Sequence, residues 1–217
     1  MPRPADARRA LAASDPIMEG LIKEIGPLSV SERERRRKTV PPDHAFGALV
    51  RAVVGQQLST KAARTIYGRL LELFDGRVPG PDDLSSASEA ELRGVGLSGR
   101  KVEYLQDLAG HVKRGELELD RLPDLSDEDV IEEIVAVRGF GQWSAEMFLM
   151  FHLERPDVVS GGDLGIRKAI QLAYGLEEMP TPAGVVERAE AWRPNRSLAC
   201  LYLWESLAAT PVQDAKP

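Results

Sequence analysis

Asp163 is the residue of this chain whose setting most suggests chemistry. It follows Gly161 and Gly162 and precedes a run with helical apolar spacing that extends to Tyr174, so it stands where a helix must begin. An aspartate there caps the helix, accepting from its first amides, and the helix dipole favours its negative charge. On these grounds alone a plain N-cap is the better explanation. A second feature is Gly139-Phe140-Gly141, between a stripe ending at Val135 and a nearly all-apolar run from Trp143 to Leu153. Two glycines one residue apart make a tight hairpin, accept positive φ and let a foreign backbone come close. The first amides of the second helix then face outward, an arrangement suited to a phosphate-like anion. A packing turn between two helices is the competing reading.

Other chemistries have little to work with. Cys200 is the sole cysteine, which excludes a disulfide framework, a four-cysteine zinc site and a cysteine-held iron–sulfur cluster. His44, His111 and His152 stand far apart without metal-ligand spacing, so structural or surface roles are expected for them. The formal net charge is −6, which as a sum argues against a nucleic-acid partner. Arg33, Arg35, Arg36, Arg37 and Lys38, with Arg193 and Arg196, could still build a local basic face, or be no more than solvated surface. No apolar run approaches the roughly 20 residues needed to span a bilayer, and no apolar signal core follows Arg3, Arg8 and Arg9. A cytoplasmic, nucleoid-associated setting is expected.

The elements that must position these residues read as helices nearly throughout. Asp15-Pro16 opens one as cap and first position, with Ile17, Leu21, Ile22 and Ile25 as its apolar stripe and Gly26-Pro27 as its stop. Apolar periodicity from Phe46 to Phe74 is broken at Gly55-Gln56-Gln57 and at Ser59-Thr60, where a new helix starts. Gly76 to Asp83 reads as a loop. Helices are expected over 88–93, 99–113, from Ser126 with Asp129 as a variant capping box, over 163–174 and over 197–209. Val158-Val159 is the sole strand-like piece and is too short for a sheet, so the fold class is all-α.

Four segments in order resemble the signatures of the helix-hairpin-helix DNA glycosylase superfamily. They are 53–63 (Val-Val-Gly-Gln-Gln-Leu-Ser-Thr-Lys-Ala-Ala), 134–145 with the Gly139–Gly141 hairpin, 158–168 with Asp163, and 192–199 with Tyr202 and Trp204 behind it. The resemblance spans about 15–207 and looks nearest to the DNA-3-methyladenine glycosylase II group. It implies a two-lobed helical bundle, with 45–156 as a central lobe, 1–44 and 157–217 as a terminal lobe, and a DNA-binding cleft between them. It implies double-stranded DNA with alkylated bases as partner, a monomer, and hydrolysis of the N-glycosidic bond of a flipped base such as 3-methyladenine.

The resemblance also assigns residues. Asp163 becomes the catalytic carboxylate, stabilising a positive sugar or handling a water. Trp143 and Trp204 line the base pocket, joined by Met147 and Leu164 where some relatives carry tyrosines. Gln57 or Leu58 fills the gap left by the flipped base. Gly139, Gly141 and Ser144 bind a DNA phosphate, and a second hairpin-like element with Gly96, Ser98 and Lys101 either binds another or is purely structural. The carbonyls of Val135, Val137 and Phe140 suit a structural Na+ or K+; no other cofactor is required. Relatives that also nick the strand carry a lysine just beyond the hairpin, where this chain has Trp143, so no lyase step is expected. The alternatives are a non-catalytic helix-hairpin-helix DNA-binding module, a protein-binding adaptor, and a glycosylase for oxidised or mismatched bases.

Overall fold

The computed structural model describes residues 4–29 and 44–209; the basic run 33–38 lies outside them. Every regular element among the described residues is helical, so the protein is all-α, and among those residues no helix is long and apolar enough to cross a membrane. The chain divides into two compact units, residues 1–36 with 154–217, and residues 37–153.

The first unit contains α1 (Pro4–Ser14), α2 (Pro16–Ile25), α10 (Leu164–Ala173), α11 (Pro182–Ala189), a 3-10 turn (Glu190–Trp192) and α12 (Arg196–Ala209). Neither α1 nor α11 was legible as a helix. Alanine carries much of α1, a residue with high helix propensity but little periodic signal, and Leu11 is its one buried residue. The α2 start is as expected: Asp15 caps it, Oδ1 accepting from Ile17 N–H at 2.9 Å and Met18 N–H at 3.3 Å, with Pro16 in the first turn and Gly26 ending it at φ +84°.

The same carboxylate reaches across the unit. Asp15 Oδ2 accepts from the Trp192 indole at 2.9 Å and from the Tyr174 hydroxyl. Trp192 is fully buried and Asp15 nearly so, so α2 is held to the C-terminal segments by a satisfied polar centre rather than by apolar packing alone. Tyr202 adds a second tie, donating to the Gly26 carbonyl at 2.9 Å and accepting from Leu28 N–H.

The second unit contains α3 (Ala45–Gly55), α4 (Thr60–Leu73), α5 (Pro81–Ser86), α6 (Glu89–Gly94), α7 (Gly99–Lys113), a 3-10 turn (Leu119–Asp124), α8 (Asp127–Val135) and α9 (Gln142–Phe151). Caps mark its helices closely: Ser59, Ser88, Ser98 and Ser126 each accept from the amide three residues on. The full capping box is Ser88 with Glu91. At Ser126, Asp129 instead accepts from the Ser126 hydroxyl. The segment that reads as a loop from Gly76 to Asp83 turns helical at Pro81, where Gly80 N–H donates to Asp83 Oδ2 at 2.7 Å. The histidines serve structure: His44 caps α3, His111 meets the Asp107 carbonyl at 2.9 Å, and His152 packs on Phe148 at 4.8 Å.

Burial raises the Asp15 carboxyl pKa, but the hydrogen bonds from Trp192, Tyr174, Ile17 and Met18 outweigh it and leave it below its ordinary value. The unfolded chain therefore takes up the proton first as pH falls. The stabilisation from Asp15 should be complete above about pH 4 and fade as pH drops through the lowered folded value. Asp15→Ala should cost roughly 3 kcal/mol at neutral pH, and its deficit in urea unfolding should narrow below that pH.

Candidate active site and hairpin

Asp163 caps α10, with Oδ1 accepting from Ile166 N–H at 2.8 Å. The same oxygen accepts from the Trp204 indole, in the middle of α12, at 3.0 Å. Two donors on one oxygen, one from its own helix and one from a neighbour, fix the carboxylate's plane. The group is half-buried, neither sealed in the core nor wholly surrounded by water. Leu164, the next residue, is 65% exposed.

Gly165 makes that geometry available. A Cβ there would stand 3.0 Å from Asp163 Oδ1 and 3.3 Å from Trp204 Cδ1, so a side chain would crowd the pair. Its signal was present in the sequence as an isolated glycine within a helix, which costs about 1 kcal/mol relative to alanine and usually marks close packing. Gly161 shows the same economy of space, since a Cβ there would meet the Pro182 carbonyl at 2.8 Å.

In the second unit the hairpin joins α8 to α9. Gly139 has φ +90°, and a Cβ on it would run into the Tyr104 ring. Gly141 caps α9 with extended backbone and no side-chain cap, which leaves that helix start without the serine hydroxyl that closes several others. Ser144 is buried and its amide donates to the Gly141 carbonyl at 2.9 Å. Trp143, directly beyond the hairpin, is 48% exposed, and Met147 lies one turn on, half-buried. At the α3–α4 turn Gln57 adopts φ +55° and Leu58 is 39% exposed.

Several groups expected at a DNA-facing surface have partners within their own unit. Lys101 Nζ donates to the carbonyls of Val54 and Gln56, each at 2.8 Å, so two of its three donors are committed inside the unit. Ser98 caps its own helix through Lys101 N–H, and a Cβ on Gly96, at φ +106°, would stand 3.2 Å from Ile66, contacts that belong to the structural half of the expectation for this element. Arg193 and Arg196 do not form a free basic face: Arg193 pairs with Asp157 at 2.5 Å and Glu190 at 2.9 Å, and Arg196 with Asp157 at 2.9 Å. Among the described residues no group of three or more His, Cys, Asp or Glu side chains could hold a metal ion. At the hairpin, Val135 is exposed, whereas Val137 and Phe140 are buried, and the Val137 carbonyl accepts from Phe140 N–H at 3.2 Å.

Residues 50–194 match the HhH-GPD superfamily of base excision DNA repair proteins. The chain belongs to this family. It is 31% identical over 168 residues to the Bacillus subtilis protein YfjP, covering 75% of this chain and 58% of that protein. It also superposes on two solved structures. One is a DNA-3-methyladenine glycosidase from Bacillus halodurans, with TM-score 0.78 and 36% identity over 92% of this chain and 88% of that one. The other is the Schizosaccharomyces pombe 3-methyladenine DNA glycosylase Mag1 in complex with abasic DNA, with TM-score 0.80 and 29% identity over 94% and 97%.

The two hairpin glycines should respond differently to a methyl group. Gly139→Ala meets both positive φ and the Tyr104 ring and should lose at least about 2 kcal/mol. Gly141→Ala meets no atom within 4 Å and should lose only the cap preference, roughly 0.5–1 kcal/mol. Urea unfolding of the two variants checks the contrast.

Proposed function

We propose that this protein is a monofunctional DNA glycosylase of base excision repair that hydrolyses the N-glycosidic bond of flipped, alkylated bases such as 3-methyladenine. The observation that carries the reading is the Asp163 carboxylate, capped by its own helix and held by Trp204 Nε1, in a chain of the HhH-GPD family. As the base departs, positive charge grows on the sugar. A carboxylate whose plane is already fixed stabilises that charge without reorganising, and it can orient the water that completes hydrolysis.

Alkylated bases of this type are already cationic, so departure needs little acid assistance. The exposed face of Trp143 and the half-buried indole of Trp204 suit stacking on an electron-poor ring. Leu164 and Met147 supply apolar surface where a more aromatic lining would favour other bases. Double-stranded DNA is gripped through its phosphates at the Gly139–Gly141 hairpin, and Gln57 or Leu58 fills the stack after extrusion. The Val135, Val137 and Phe140 carbonyls, neutral oxygens without a carboxylate, fit a monovalent cation; such an ion would add positive charge where the hairpin meets a phosphate. No other cofactor enters. The enzyme works as a monomer on cytoplasmic, nucleoid DNA.

Trp143 stands where a Schiff-base lysine would be needed, and an indole cannot attack a sugar. Incubation with methylated duplex DNA should therefore release 3-methyladenine and leave abasic strands that break only after alkali. Asp163→Asn should lower the release rate by at least about 100-fold. Release by that variant at the wild-type rate would remove Asp163 from the reaction.

A further inference from the structure

We propose that Lys101 is a positioning residue for base extrusion, one that holds the Gln57–Leu58 turn at a set distance from the phosphate-gripping hairpin. The proposal rests on the glycosylase reading above.

Helix α3 ends at Gly55, and its last carbonyls have no amide ahead of them in the helix. The Lys101 ammonium, from the first turn of α7, takes the carbonyls of Val54 and Gln56 at 2.8 Å each, a cation set against the negative end of a helix dipole. Burial draws its pKa below the ordinary lysine value, an environment poorly matched to a mobile phosphate contact. Gln56 then carries the connection onward: its side-chain Nε2 donates to the Gly139 carbonyl at 2.8 Å. One residue is thus grasped by Lys101 at its backbone and reaches the hairpin with its side chain. The two exposed residues that follow it, Gln57 and Leu58, are the candidates for filling the stack.

Helix α7 supports both ends of this link. Lys101, Tyr104 and Asp107 recur every three residues along one face. Lys101 holds the turn, the Tyr104 ring occupies the space a Gly139 side chain would need, and Asp107 Oδ2 accepts from Arg138 N–H at 2.9 Å. The turn and the hairpin are therefore spaced by a single rigid helix. Gripping the backbone and entering the stack become one motion, with little reorganisation left for the moment of extrusion.

The test compares full-length wild type, Lys101→Met and Lys101→Arg in single-turnover base release from methylated duplex DNA, and in binding to undamaged duplex across a salt series. Lys101→Met should slow release about 10-fold while leaving the slope of log affinity against log salt unchanged, and Lys101→Arg should restore most of the rate. A slope reduced by about one charge would make Lys101 a phosphate ligand and overturn the proposal, as would release by Lys101→Met at the wild-type rate. Should Lys101→Met fail to fold, Gln56→Leu cuts the same link at its other end. Slow release with an unchanged slope then supports the proposal, and wild-type release defeats it. Wild type that frees no base at all would defeat the proposed function, and the inference with it; active wild type with unaffected variants defeats the inference alone.

Discussion

The Asp163–Trp204 hydrogen bond is the constraint around which the first unit's candidate chemistry is arranged. An N-cap aspartate needs only its own helix amides, and Ile166 N–H meets that need. The indole of Trp204 adds a donor from a helix about forty positions later in the chain, and Gly165 is bare because any side chain there would push the two apart. A cap is ordinarily a local matter. Here it is bound to the packing of α10 against α12, so the carboxylate's orientation depends on the core beneath it.

The same unit uses this device twice, to different ends. Asp15 is also an N-cap aspartate that accepts from a tryptophan indole of the C-terminal region, in its case Trp192. Asp15, however, is nearly buried and receives four donors, with the Tyr174 hydroxyl among them. Its charge is fully spoken for by the fold. Burial and the hydrogen bond to Asp15 together push the Tyr174 hydroxyl pKa well above its ordinary value, so the pair stays as donor and acceptor across the physiological range. Asp163 is only half-buried, so two aspartates with the same capping role and the same kind of indole partner differ in their exposure.

In the second unit the governing constraint is closeness of backbone to side chain. Tyr104 fills the space beside Gly139, and Gln56, in the α3–α4 turn, accepts from Lys101 through its carbonyl and donates to the Gly139 carbonyl through its side chain. Each contact excludes alternatives: a methyl at 139 meets an aromatic ring, and loss of the Lys101 ammonium leaves two helix-end carbonyls without their donor. Short polar links of this kind space the turn and the hairpin rigidly.

The all-α class, most helix starts and the hairpin were legible from the chain alone, because caps, apolar periodicity and paired glycines act over a few residues. Asp15, Ser59, Ser98, Ser126 and Asp163 each announce a helix by residue type and local spacing. Helix α1 escaped because an alanine-rich segment shows little periodicity, and α11 because its stripe is short. What local spacing could not specify was the partner of each polar group. Lys101 looked available for phosphate until α3 supplied two carbonyls; Arg193 and Arg196 looked basic until Asp157 and Glu190 neutralised them. Trp204 gave no sign in the sequence that its indole would meet Asp163. Hydrogen-bond and ion-pair partners distant in the chain are chosen by how helices pack, and that choice exists only once the chain has folded.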